Sequence, residues 1–163
     1  MESYRLARGR PRTPKKLAQT IALLFKQGPA RGYDPSVIGR LHHVVIDCPD
    51  PSALAAFYSE LLGLPITYRD DIWVVISKDD TTSGVAFQRA PDHQPPRWPD
   101  PNFPQQFHLD VMVDDPDAAE PRVLALGARR LPLGDHVYAD PAGHPFCLVR
   151  RPGWAEPIGS VEG

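Results

Sequence analysis

The sequence predicts an α+β protein built from two tandem β-α-β-β-β modules. His43 is followed seven positions later by Asp50-Pro51, and His108 is followed seven positions later by Asp115-Pro116. Each Asp-Pro pair lies between an apolar run and an amphipathic segment, and a glycine ends that segment. The two copies are 65 residues apart, whereas solenoid repeats are about 20 to 50 residues long and usually number at least three. Two fused modules of this kind usually share one cleft.

The first module is predicted over residues 41–90. Residues 41–46 form its first strand, because β-branched side chains dominate there. Asp50 caps the following helix and Pro51 occupies its first position, where a missing N–H has no consequence. Apolar residues then recur at helical spacing up to Gly63, which suits the left-handed conformation that ends a helix. Strands over residues 66–69, 72–77 and 84–89 complete the module.

The second module is predicted over residues 107–151. A strand at 107–113 precedes the Asp115-Pro116 cap, and strands at 129–131, 136–139 and 146–150 follow the helix. Pro121 lacks a backbone donor, so we expect one turn, a kink, and a regular helix only from about residue 120. Between the modules, the linker 91–106 holds six prolines, which exclude helix and central strand. Its aromatic residues Trp98 and Phe103 indicate that part of it packs on the body.

Composition narrows the classes of function. The length of 163 residues fits one main domain, and two distant cysteines favour a reducing, cytoplasmic location. No apolar run approaches the roughly 18 residues that span a membrane. Residues 1–40 carry a net charge of +7, so the rest of this −2 chain carries −9. An acidic body argues against nucleic-acid binding.

The ends of the chain are predicted to lie outside the main domain. We interpret the basic residues 1–40 as an N-terminal extension that is disordered or loosely helical. The alternative is a tether to an anionic surface. Residues 153–163 are expected to form a loose C-terminal tail.

Three segments carry a resemblance to a known family. They are HHVVIDCPDPSALAAFYSELLGL, FHLDVMVDDPDAAEPRVLALGAR and YADPAGHPFCLVR. In this order they resemble the vicinal oxygen chelate superfamily, and within it the glyoxalase-like domain proteins of the glyoxalase, bleomycin resistance and dioxygenase family. The resemblance implies one domain over residues 41–152, with a curved sheet around one cleft. It also implies a homodimer and, as in many relatives, binding of a small organic molecule.

Metal-dependent relatives place one metal ligand on the first strand and one on the last strand of each module. His43 and His108 match the two first-strand positions. The last-strand positions hold Ala86, with Gln88 two residues on, and Cys147, where such relatives have glutamate. The chain therefore lacks two expected ligands and the carboxylate that would act as general base.

Two interpretations of the site remain open. His43, His108 and Cys147, with Gln88 or a water, would suit zinc, and nickel, manganese or iron are the alternative metals. In the alternative, which we favour, no metal binds: the histidines line a pocket or form buried hydrogen bonds, and Cys147 belongs to the core.

A metal-free pocket would use residues of both modules. Because side chains alternate along a strand, His43 and Asp47 share a face of the first strand of the first module. His108 and Asp110 likewise share a face of the first strand of the second module. Either pair orients an imidazole as a base or binds a polar ligand, unless it is a structural hydrogen bond. The predicted ligand-binding residues are His43, Asp47, Trp73, Gln88, Trp98, His108, Asp110, Tyr138 and Phe146. The sequence thus predicts small-molecule binding in the cleft between the modules, with no catalytic residue assigned. A metal-dependent lyase, isomerase or dioxygenase is the alternative.

Overall fold

A computed structural model describes residues 38–158. The predicted extension lies outside this range except for residues 38–40, as does the end of the predicted tail. The first module contains β1 (His43–Cys48), α1 (Pro51–Leu62), β2 (Ile66–Arg69), β3 (Trp73–Ile76) and β4 (Gly84–Arg89). The second contains β5 (Leu109–Val113), α2 (Pro116–Ala125), β6 (Arg129–Arg130), β7 (Val137–Ala139) and β8 (Pro145–Arg150). The predicted β-α-β-β-β order is confirmed in both.

Each module forms one four-stranded mixed sheet. The strand order is β1-β4-β3-β2 in the first and β5-β8-β7-β6 in the second. In both sheets the first strand pairs in parallel with the last, and the other pairs are antiparallel. The first strands begin two residues later than predicted, because pairing begins at His43 with Gly84 and at Leu109 with Phe146.

The helix starts follow the Asp-Pro prediction. Asp50 accepts hydrogen bonds from the backbone N–H groups of Ser52 and Ala53, and Asp115 accepts them from Asp117 and Ala118. Gly63 ends α1 in the left-handed conformation, with φ of 65°.

The prediction for the second helix was wrong. α2 begins at Pro116 and continues through Pro121, instead of starting near residue 120. The Asp115 cap and Pro116 fix the first turn, and Pro121 is exposed. The backbone groups around Pro121 can therefore reach water, which lessens the effect of its missing donor.

The two modules share one hydrophobic core. It contains Ile46, Leu54 and Phe87 from the first module and Phe146 and Leu148 from the second. The Phe57 and Phe146 rings meet with centroids 5.9 Å apart, so α1 contacts both sheets. Within residues 38–158, neither helix is long and apolar enough to cross a membrane.

The linker is irregular, as its prolines predict. Residues 90–108 form neither helix nor strand. Trp98 packs against the cluster of Leu131, Val137 and Ala139 in the second module. Its indole N–H donates to the Leu133 carbonyl over 3.4 Å. The linker therefore packs on the second module, as its aromatic residues indicate.

Candidate functional site

Alternation separates a core face from an open face on β1. Ile46 and Cys48 are buried, whereas Val45 and Asp47 are exposed and His43 is half-buried. The same separation occurs on β5, where Val111 is buried and Asp110 is exposed. Because strand side chains alternate, the open faces carry the odd-numbered residues of β1 and the even-numbered residues of β5.

Three predicted ligand-binding residues form a row across the open face of the first sheet. Asp47 is paired with Gln88, and Gln88 is paired with Trp73 on the next strand. Paired residues on neighbouring strands project to the same face of a sheet. The row combines a carboxylate, an amide and a half-buried indole, which suits a ligand with polar and flat apolar parts.

His43 lies on the same face and has a structural hydrogen bond. Its Nδ1 accepts from the backbone N–H of Gly84 over 3.1 Å. Burial, together with the neighbouring His42, lowers the pKa of His43. Both features favour the neutral imidazole.

A second polar group lies at the start of the second module. Nε2 of His108 is 3.4 Å from the Asp110 carboxylate, so the predicted pairing of these side chains is confirmed. Cys147 is paired with Asp110 on the neighbouring strand. The imidazole, carboxylate and thiol ligand atoms all lie within 4.8 Å of one another. We call His108, Asp110 and Cys147 the donor cluster.

The donor cluster differs from the ligand set predicted from the sequence. It contains His108 and Cys147 of that set, with Asp110 as the third donor, and His43 does not belong to it. Asp110 joins because β5 and β8 pair in a register that places it opposite Cys147. No local sequence signal gives that register, because the two residues are far apart in the chain.

The environment of Cys147 is partly apolar. Its side chain packs, with Trp98, against Leu131, Val137 and Ala139. Burial first, and the Asp110 carboxylate second, raise the pKa of the Cys147 thiol. A raised pKa keeps the thiol protonated, which makes it a weak nucleophile in the absence of a metal.

Tyr138 and Phe146 do not lie on the open face. They are paired on β7 and β8, both are fully buried, and both belong to the shared core. Cys147 follows Phe146 directly and so points to the other side of β8. The alternation of β8 therefore places these two aromatic residues away from the open face, and their predicted role as ligand walls is not supported by their burial.

Sequence reasoning missed a buried polar pair in the turn between β7 and β8. Asp140 is 4% exposed, and its carboxylate accepts from Nδ1 of His144 over 3.0 Å. The sequence predicted only a turn at Asp140-Pro141-Ala142-Gly143. An aspartate that begins a turn is usually exposed, so nothing local in the sequence indicated burial.

Comparisons with known proteins agree on one family and one fold. The sequence profile of the glyoxalase-like domain matches residues 43–149. A glyoxalase/bleomycin resistance protein/dioxygenase family enzyme from Burkholderia phytofirmans is 21% identical, with a TM-score of 0.50, over 68% of this chain and 97% of that one. A glyoxalase-related enzyme from Fulvimarina pelagi is 16% identical, with a TM-score of 0.52, over 70% of this chain and 89% of that one.

A third similar structure is the trypanothione-dependent glyoxalase I of Leishmania major. It is 15% identical, with a TM-score of 0.51, over 69% of this chain and 86% of that one. At these identities the structural matches define the fold alone. No curated protein sequence matches the chain.

Proposed function

Because the chain belongs to the glyoxalase-like domain family, we propose that it binds a small organic molecule on the open faces of its sheets, in a cleft between the modules. The donor cluster supplies the polar contacts. Trp98 and Trp73 supply apolar surface. The observation that carries this proposal is the 3.4 Å contact between His108 and Asp110 on an otherwise partly apolar face.

The exposure of the two polar side chains supports this role. The side chains of His108 and Asp110 are 40% and 59% exposed, so they are accessible to a ligand. A carboxylate beside Nε2 favours a proton on that nitrogen, and Nδ1 lies 3.4 Å from the Gln105 amide. Ligand sites usually combine a mainly apolar wall with a few placed polar groups.

The proposal is tested by fragment binding to the ¹⁵N-labelled protein. We expect a subset of polar aromatic fragments to shift the amide signals of His108, Asp110 and Cys147, and the His108→Ala variant to weaken these fragments at least tenfold. His42→Ala is the matched control, since it removes an exposed histidine outside the donor cluster. The proposal fails if no fragment shifts the signals of the donor cluster, or if the fragments that do shift them bind equally to both variants.

A metal-dependent reaction is the second candidate, and the donor cluster is the specific observation that favours it. An imidazole, a carboxylate and a thiol within 4.8 Å of one another are ligands that zinc accepts. Three protein ligands leave a fourth position for water or substrate. The residues present therefore fit such an ion, although the Cys147 thiol would have to lose its proton on binding.

In that case each residue has a separate task. A metal would supply Lewis-acid polarisation of a substrate oxygen. His108 and Cys147 would hold it. Asp110 would be either its third ligand or a base that accepts a proton from the substrate. Lyase, isomerase and dioxygenase activities all remain within this second candidate.

Cobalt(II) binding separates the candidates, because a cobalt–thiolate bond gives a charge-transfer absorption in the near ultraviolet. If the donor cluster binds metal, one equivalent of cobalt should produce that absorption. Cys147→Ser should abolish it, Asp110→Asn should weaken it, and His43→Ala should leave it unchanged. Loss with His43→Ala would instead support the set of His43, His108 and Cys147. Without a thiolate band in the unmodified protein, the metal-dependent candidate fails.

Assembly and location are also part of this proposal. A homodimer is expected from the family resemblance. Light scattering on the full chain would test this by its molar mass. A cytoplasmic location is supported by the free state of both cysteines.

A further inference from the structure

A cavity of about 220 Å³ lies between the proline-rich linker and the core of the domain. The linker contributes residues 93–96, 103, 104, 106 and 107, and the domain contributes Ile46, Leu109 and His144 among others. Of the described residues that line it, none belongs to the donor cluster. The cavity is therefore distinct from the site of the proposed function.

The polar side chains that line this cavity include His93, Gln94, Gln106 and His144. Of these, His144 is held by a buried carboxylate. Asp140 accepts from Nδ1 of His144, from the backbone N–H groups of Ala142 and His144, and from the Tyr58 hydroxyl. With four donors around it, the carboxylate is stable as an anion. An ionised carboxylate only accepts hydrogen bonds, so Nδ1 of His144 must carry a proton.

This arrangement makes Nε2 of His144 an acceptor whenever the imidazole is neutral. In the neutral imidazole, a proton on Nδ1 leaves a lone pair on Nε2. Within residues 38–158, the hydrogen bonds of the His144 side chain all go to Asp140 through Nδ1. The neighbouring His93, whose ring lies 4.7 Å from that of His144, has its Nε2 3.3 Å from the Ala142 carbonyl instead. Because a carbonyl oxygen only accepts, Nε2 of His93 carries the proton of that ring, and Nδ1 of His93 is an acceptor as well. Substitution of each histidine in turn therefore distinguishes the two.

The remaining wall is mainly apolar. Phe103 and Phe107 line the cavity although they are 41% and 50% exposed. A ligand lying against these rings would bury apolar surface that now contacts water, which favours binding. Pro95 and Pro96 add rigid apolar surface that loses little entropy when a ligand binds.

We propose that this cavity is a second binding site, for a small, neutral, mainly apolar molecule whose single hydroxyl group donates to Nε2 of His144. The size fits one ring with a substituent, because an apolar cavity of about 150 Å³ already holds benzene. The buried Asp140 anion beside His144 disfavours a second negative charge, so a hydroxyl is preferred to a carboxylate.

The test uses the ¹⁵N-labelled full-length protein and three ring compounds of similar size. We expect 4-methylphenol to shift the signals of His144, Phe107 and Leu109. Toluene, which lacks the donor, should bind roughly threefold to tenfold more weakly. 4-Methylbenzoate, which carries a negative charge, should bind more weakly than 4-methylphenol.

Two variants assign the preference to His144. His144→Leu should remove the difference between 4-methylphenol and toluene, whereas His93→Leu, which changes the other histidine of the cavity, should keep it. If His144→Leu does not fold, the comparison of 4-methylphenol with toluene on the wild-type protein still tests whether the cavity prefers a hydroxyl group. Equal binding of 4-methylphenol and toluene to the wild type, or no shifts at these residues, would overturn the proposal. Shifts confined to His108 and Asp110 would also overturn it, while supporting the proposed function.

Discussion

The hydroxyl of Tyr58 donates a hydrogen bond to the Asp140 carboxylate over 3.0 Å, and this contact joins the helix of the first module to a turn of the second. Both residues are buried, at 1% and 4% exposure. Burial and the nearby Asp140 anion raise the pKa of Tyr58. The phenol therefore stays a donor, and the two modules are connected by a hydrogen bond within their shared core.

Removal of this hydroxyl should destabilise the protein. Tyr58→Phe leaves the buried carboxylate with one donor fewer, and such a loss costs about 1 to 3 kcal/mol. The free energy of unfolding in urea measures the effect. Tyr68→Phe is the matched control, because the Tyr68 hydroxyl donates to Asp70 in an exposed position. Equal losses in the two variants would show that burial of the contact has no special effect.

Gly143 should be required for the linker to pack on the second module. Its φ is 96°, and a Cβ added there would lie 2.5 Å from Cβ of Pro95. We expect Gly143→Ala to destabilise the protein by about 1 to 3 kcal/mol and to change the amide signals of the linker, because rigid Pro95 must move. Gly153→Ala, where nothing lies within 4 Å, should have little effect. A harmless Gly143→Ala would contradict this packing.

The two cysteines should differ in reactivity. Burial raises the pKa of the Cys48 thiol to about 12, with smaller contributions from nearby acidic residues, and its side chain is inaccessible. In metal-free protein at about pH 8, near the usual thiol pKa, iodoacetamide should label Cys147 slowly and Cys48 only after unfolding. Asp110→Asn should accelerate the labelling of Cys147, since the carboxylate raises its pKa. Mass spectrometry identifies the labelled cysteine, and fast labelling of Cys48 in the folded protein would contradict its burial.

Acid should weaken the second module through Asp114. Hydrogen bonding to the Arg151 guanidinium, more than to the Ile158 N–H, lowers the pKa of this carboxyl. The pKa of Asp114 in the folded protein then lies below its unfolded value of about 3.9. The contribution of the ionised Asp114 to stability is therefore complete above about pH 3.9 and is lost as the pH falls through the folded pKa. Asp114→Asn should therefore be less stable than the wild type near pH 7, and the difference should narrow toward about pH 2.

Urea unfolding of both proteins across this pH range provides the measurement. The effect should be small, because the Asp114 side chain is 44% exposed and water screens its ion pair. Asp71→Asn provides a comparison at an exposed carboxylate of the first module. A stability difference that does not change with pH would exclude the ion pair as its cause.

Local sequence signals predicted the modules and their helix starts. Asp50-Pro51 and Asp115-Pro116 specify helix beginnings through contacts within three residues, and Gly63 supplies the conformation that ends α1. These interactions lie within one turn of chain, so they are readable without the fold. The prediction failed at Pro121, because the exposure of that residue depends on how α2 packs.

The alternation of β1 and β5 by itself determined which side chains share a face, including His108 with Asp110. Only the tertiary structure decided that Cys147 joins them, that Tyr138 and Phe146 belong to the core, and that Asp140 with His144 lies beside the linker cavity. Strand register, burial and linker packing join residues distant in the chain. Their free energies depend on surfaces from both modules, so no single stretch of sequence encodes them.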